Sequence, residues 1–320
     1  MILKQIHNLD EFCNLAEIQH GVFASKEWLS VYEGKLNLVG IYKDEYQLIG
    51  GFYFLKTKKY GFTFLKLPPY SPHCALFFKN EASNVSSALS FQKEILEDVV
   101  NYIKSQNSTL TVLALPSVNL DTQPFIWDNY KVVPNYTYRL DLTQTIEQIK
   151  SQFDSKNRNA INKAIKEGVE IELNSLDSIA LFAFFSNHLR SAGANLYYSE
   201  LKNIFSKFSN NNNSFSLTAK KDNVVLGNVF CIYDKNTCYY LLGGVDKSAR
   251  IQGINNLLIL KSIEKAKDLG CVIFDFEGSM LKGVEKFFRS FGPTIYPYYT
   301  INKGKLWLEL LLKFKKRTIF

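Results

Sequence analysis

The amino-acid sequence predicts an α/β protein with mixed sheets (α+β in its connections), built as two tandem domains of similar plan. Three observations predict this. Groups of short strand-like runs are each followed by a long segment with helical spacing and then by one more strand. The chain has 320 residues, which is room for two ordinary domains, and it is 46% hydrophobic and 21% charged, the composition of a globular chain with a sizeable core. The second half also repeats the coarse element order of the first, without a clear sequence repeat.

The elements follow in order. Residues 9–17 predict a short helix, and Ser25 is placed to cap another that opens Ser25, Lys26, Glu27, Trp28, Leu29. Strand patterns cover 36–42, 47–56 and 60–67, and the prolines of 67–72 make a loop. Residues 87–106 carry helical spacing through Leu89, Ile95, Leu96, Val99 and Ile103, and strands follow at 111–115 and 136–142. A first domain is therefore expected at 1–145 and a second at 146–320. The second opens with helices at 145–153 and 155–167, the latter stopped by Gly168. A strand at 169–173 and helices at 178–190 and 199–208 come next. A polar turn at 209–214 leads into a meander at 215–219, 224–233 and 237–243. A helix at 255–269, a strand ending near 275 and a helix at 283–291 complete the pattern.

The formal net charge of +8 favours anionic partners such as nucleotides, phosphorylated sugars, nucleic acid or anionic lipid. Nucleic-acid binding from charge alone is weak, because no arginine-rich arm or recognised motif accompanies it. Five cysteines without a CxxC pair suggest neither a zinc site nor a disulfide framework. His7, His20, His73 and His188 show no metal spacing, so no metal is expected, and His188 reads as structural. The N-terminus lacks a secretory pattern and no apolar run reaches membrane-span length, so a cytoplasmic protein is expected. The segment 305–317 has the pattern of a basic amphipathic helix, suited either to packing on the core or to lying on an anionic membrane surface.

The chemistry-bearing residues concentrate between 237 and 292. A strand runs into Gly243 and Gly244. The turn Arg250, Ile251, Gln252, Gly253, Ile254, Asn255 opens a helix, where free N–H groups and the helix dipole suit a phosphate or carboxylate. A plain strand–helix turn gives the same pattern. The run Phe274, Asp275, Phe276, Glu277, Gly278, Ser279 alternates, which places Asp275 and Glu277 on one face as neighbouring carboxylates. Such a pair raises its own pKa values and suits a base toward an amine, a site for an ammonium group, or a solvated face. Lys282, Lys286 and Arg289 follow spacings of four and three on one helix side, and Lys156, Asn159 and Lys163 do so on another; each is an anion clamp or a solvated basic face. No GxSxG, HExxH or P-loop occurs.

Three of these stretches, 155–172, 239–270 and 274–293, resemble the Fem family of peptidoglycan-bridge aminoacyltransferases and the acyltransferases built from tandem GNAT-like domains. The resemblance implies two GNAT-like domains with a cleft between them. It implies N-acyl transfer, without metal or covalent intermediate, to an amine of a cell-wall precursor or nucleotide-linked amino sugar. No cofactor is expected to be bound tightly; the donor is acyl-CoA or aminoacyl-tRNA. Glu277 and Asp275 would then serve the chemistry, Arg250, Gln252, Gly253 and Asn255 the donor, and Lys282, Arg289 and Lys156 the acceptor. Backbone N–H groups near Gly243 and Gly244 would face the oxyanion. Partners are an anionic nucleotide-linked or cell-wall precursor, tRNA, and the inner membrane face through the C-terminal helix. Two positions depart from the family pattern. Phe288 stands where a lysine is frequent, and Asn255 where a small residue is usual; the same departures suit a non-catalytic GNAT-like scaffold in envelope assembly.

Overall fold

Two meanders, each closed by a long helix and a parallel strand, organise the chain. The computed structural model describes residues 1–6, 8–117, 120–209, 212–246, 248–278 and 280–315; His7, parts of the expected turn at 209–214, Ser279, Lys316 and Arg317 lie outside them. The elements are β1 (Ile2–Gln5), α1 (Leu9–His20), a 3-10 turn (Gly21–Ala24), α2 (Lys26–Ser30), β2 (Leu36–Tyr42), β3 (Leu48–Lys59), β4 (Phe62–Lys66), β5 (Phe77–Phe78), α3 (Val85–Ser105), β6 (Leu110–Ala114) and α4 (Gln123–Trp127). They continue with β7 (Lys131–Asp141), α5 (Ile146–Ser151), α6 (Ser155–Lys166), β8 (Glu170–Leu173), α7 (Ser178–Ser191), α8 (Tyr198–Phe208), β9 (Ser214–Lys221), β10 (Val224–Tyr233), β11 (Thr237–Val245) and α9 (Ile254–Asp268). The last are β12 (Ile273–Asp275), α10 (Lys282–Arg289), β13 (Thr294–Gly304) and α11 (Leu306–Lys315). The fold is mixed α/β.

The chain forms two compact units, one of residues 1–135 with the described chain from Pro297 on, the other Tyr136–Tyr296. The division differs from a simple cut near 145. The C-terminal segment returns to the first unit because Thr300–Gly304 of β13 pair antiparallel with β6, with Ile301 buried at the seam. Pro297 and the exposed first residues of β13 gave that strand no alternating pattern from which to predict it.

The two units share one topology. In the first the strand order is β1-β2-β3-β4-β6-β13, and in the second β8-β9-β10-β11-β12-β7. Each has one parallel pair, β4 with β6 and β11 with β12, joined through the long helices α3 and α9. Among the described residues the neighbouring strands of these orders otherwise pair antiparallel within each unit. The duplication suggested by element order is therefore present in the backbone.

Local chemistry explains why the helices near the later site start where they do. Thr145 and Gln148 form a reciprocal capping box on α5, and the Asp154 side chain accepts from Asn157 N at the start of α6. Helix α9 buries Ile254, Leu257, Leu258, Ile259, Leu260 and Ile263, so it is apolar on more than one side. It lies within the core of the second unit, which also takes Phe153, Ile161, Phe274, Phe276, Phe288 and Phe291.

Candidate functional site

Strand β11 separates from β12 partway along its length. The two pair only through Thr237, Cys238 and Tyr239 against Ile273, Phe274 and Asp275. Beyond Asp275 strand β12 ends, while β11 continues to Val245, held on its other side by β10 through Gly243 opposite Val229 and Gly244 opposite Asn228. Among the described residues, the β12-side backbone groups of β11 past Tyr239 have no strand partner. The matching place in the first unit is filled by the protein's own chain. There the Cys74 N–H donates to Ala114 O at 2.9 Å, and the Cys74 carbonyl accepts from Tyr53 N at 2.9 Å. The open edge belongs to the second unit.

Glycine is required on that edge. A Cβ on Gly243 would run into the Tyr240 hydroxyl, and one on Gly244 would lie 2.5 Å from Cγ of His188. His188, on α7, stacks parallel to Phe184 with ring centroids 6.4 Å apart and covers Gly244. Its place at the edge could not be read from its helix alone; the Gly243-Gly244 pair was the signal that something packs there.

The carboxylates stand where the strands part. Asp275 is 3% exposed. It accepts from Thr137 Oγ1 at 2.5 Å, Arg139 Nε at 2.7 Å and Glu277 N at 2.9 Å. Its oxygens are thus spent on β7 and on the turn that follows β12. The Arg139 guanidinium also stacks on Tyr296 at 4.9 Å. Glu277 does not continue the strand alternation, because β12 has ended and Glu277 turns to φ 59°. A non-glycine residue in this region is held by its surroundings. Partial burial, and then the charge of Asp275, push the Glu277 carboxyl well above the usual carboxylate range, with Arg139 pulling the other way. Tyr239, in register with Asp275, has its phenol raised well above its usual range by burial and by Asp234, Glu277 and Asp275. The expected single-face pair is instead a divided one: Asp275 is a structural anchor and Glu277 a carboxyl with unusually high proton affinity.

The turn before α9 packs closely against α6. Gly253, at φ 87°, is the N-cap, and among the described residues no side chain caps the helix. Asn255 therefore lies inside the first turn of the helix. A Cβ on Gly253 would collide with Ala160 O, so this glycine admits the backbone of α6. Asn256 Nδ2 donates to Asn157 Oδ1 at 2.9 Å, and Lys163 donates to Gln252 at 3.0 Å, which fixes α6 across the turn. Asn255 Oδ1 is buried without a hydrogen-bond partner among the described residues. Arg250 is exposed and makes no ion pair among the described residues.

The remaining cations are dispersed. Arg289 is held by Glu285 at 2.7 Å, and Glu285 also accepts from Tyr138 Oη at 3.0 Å. Lys282 and Lys156 are exposed. Among the described residues no hydrogen bond or ion pair joins the carboxylates, the α9 turn and these cations into one cluster. Phe288 is core: its ring centroid lies 4.8 Å from that of Phe276 and 5.7 Å from that of Tyr240. Among the described residues no group of acidic, histidine and cysteine side chains is placed to hold a metal ion.

Comparisons with known proteins agree with the topology. Residues 153–289 match the acetyltransferase (GNAT) domain, and residues 92–207 match the FemAB family. No curated protein matches by sequence. The fold is similar to that of FemX, with a TM-score of 0.66 at 13% identity over 97% of this chain and 100% of that one. A conserved protein of unknown function from Bacteroides thetaiotaomicron gives 0.60 at 11% identity, over 95% and 100%. L-PGS from Bacillus licheniformis gives 0.59 at 12% identity, over 97% and 96%. The resemblance carried by the three sequence stretches therefore holds, and the chain joins FemAB-type and GNAT-type sequence on a FemX-like fold.

Proposed function

We propose that the protein is an N-acyltransferase whose second unit carries the reaction. The observation that supports this most is the unpaired edge of β11 beside a carboxyl of raised proton affinity. Backbone N–H groups on that edge are fixed donors that suit a developing oxyanion, and they need no reorganisation during reaction. The acyl donor is a thioester or ester, acyl-CoA or aminoacyl-tRNA. Lys163, Arg250 and the uncapped N–H groups at the start of α9 suit its phosphates.

In the proposed reaction the acceptor amine attacks the donor carbonyl carbon and a C–N bond forms. The Glu277 carboxylate takes the proton that the amine must lose. The C–S or C–O bond then breaks, and the leaving thiolate or alkoxide takes the proton held by Glu277, which returns to its carboxylate form. Asp275 acts through Arg139 and the Glu277 N–H as a positioning residue. The acceptor is an amine on an anionic cell-wall precursor or nucleotide-linked amino sugar, with Lys282, Arg289 and Lys156 as its proposed phosphate contacts. The test is release of free thiol from acyl-CoA, and of free tRNA from aminoacyl-tRNA, in the presence of amino-sugar nucleotides. Acceptor-dependent release of either supports the reading and identifies the donor. No release from either, together with no thermal shift by any donor or acceptor, would overturn it.

A further inference from the structure

Helix α11 is oriented with its apolar side outward. None of its residues is buried, and Leu306 (73% exposed), Trp307, Leu310, Leu311 and Phe314 (82% exposed) are among the exposed large apolar residues. At about 100° per residue these five occupy one continuous arc of about 140°. Leu308 and Leu312, on the opposite side, are the less exposed leucines of the helix. Lys313 flanks the arc next to Leu306, and Lys315 flanks it next to Leu311. A helix that merely closed the core would carry the reverse arrangement.

A second element extends the patch. The tip of the β3–β4 hairpin presents Lys58, Lys59, Tyr60 (86% exposed) and Phe62, and the Phe62 ring lies 5.6 Å from that of Trp307. Lys58, Lys59, Lys305, Lys313 and Lys315 make no ion pair among the described residues. The one acid on α11, Glu309, is turned back to accept from Gly304 N at 2.7 Å. Amphipathic aromatic rings and leucines facing outward, with uncompensated lysines on both borders, match the layered chemistry of an anionic bilayer surface. Among the described residues no helix is long and apolar enough to cross a membrane.

We infer that α11 and the β3–β4 hairpin tip together form a membrane-docking face, with the apolar arc in the acyl boundary and the lysines against anionic headgroups. The inference is independent of the acyl-transfer reading, because its test needs no donor or acceptor. Full-length protein is sedimented with vesicles of phosphatidylcholine alone and of phosphatidylcholine with 30% phosphatidylglycerol (about one third anionic lipid, where surface attraction is strong). Binding is expected only to the anionic vesicles, to weaken with added salt, and to blue-shift the Trp307 emission in a Trp127→Phe background. Phe314→Glu and the double change Lys313→Glu with Lys315→Glu should each lower partitioning at least about tenfold. Both alter exposed side chains, and an unchanged melting temperature will show that the fold is intact. Equal binding to neutral vesicles, no binding to either, or full binding by Phe314→Glu would overturn the inference. So would concentration-dependent self-association abolished by Phe314→Glu without any vesicle binding, which would make the face a protein interface.

Discussion

Glu277 and Asp275 show how two residues apart in sequence can be given opposite tasks by their surroundings. Asp275 has three donors directed at it; Glu277 has burial and a neighbouring negative charge. A carboxyl with a raised pKa is protonated at pH values where an ordinary one is ionised. If Glu277 takes the amine proton, the rate should climb with pH through a value above the ordinary carboxylate range and level off above it. Glu277→Gln should lower turnover by about 10²–10⁴-fold and abolish that limb, without lowering the melting temperature. An unchanged pH profile in the variant would remove Glu277 from the reaction. The sequence placed both carboxylates at this strand end but not their division of labour. Their apparent alternation assumed that the strand continued, whereas the turn at φ 59° and the Arg139 partner, 136 positions away, are set by tertiary structure. A second buried group makes a separate pH prediction. Burial lowers the His20 pKa from 6.5 to about 4, while its Nε2 lies 3.0 Å from Leu76 O. The folded state therefore resists a proton that the unfolded chain accepts. Stability present above pH 6.5 should fall as pH drops toward 4, by about 3 kcal/mol for this group. Denaturant unfolding of His20→Gln across that range should lack this slope.

The elements around α9 are legible in the sequence in kind and nearly in extent, because long amphipathic or apolar runs bounded by caps and glycines identify themselves. What such patterns do not carry is the identity of the neighbour. Gly253 fits a phosphate loop and a close helix contact equally well by sequence, and the structure puts Ala160 O against it. Phe288 likewise reads as a missing lysine by family pattern and as a ring between Phe276 and Tyr240 by contact. The α6–α9 junction gives a prediction of its own. Gly253→Ala meets both a left-handed φ of 87° and the collision with Ala160 O. It should cost about 2–5 kcal/mol in denaturant unfolding, the sum of backbone strain and overpacking. A loss below 1 kcal/mol (about the floor expected for strain alone) would mean that α6 can withdraw, and that the glycine is not there to admit it.

The division of the chain follows strand partnership more closely than sequence position. Strand β7 gives Arg139, Leu140 and Asp141 to β12, and β13 gives Thr300–Gly304 to β6. Hence a fragment cut where the sequence patterns suggest a boundary carries the wrong strands. Residues 146–320 keep β13 without β6, and they lose Tyr138, Leu140 and Leu142, which are 6%, 3% and 1% exposed within the core of the second unit. Each large apolar side chain removed from a core costs about 2–5 kcal/mol, comparable in sum to the whole stability of a domain. They also lose the Arg139 partner of Asp275, leaving a carboxylate that is 4% exposed without its countercharge. Residues 136–296 retain all of these. The shorter fragment should therefore unfold in one cooperative transition, while 146–320 should show none and should aggregate through the unpaired edges of β12 and β13. Circular dichroism against denaturant on both fragments tests this directly. Cooperative folding of 146–320 would mean that α9 and the meander suffice without β7, and that the strand partnership is a consequence of the fold instead of a condition for it.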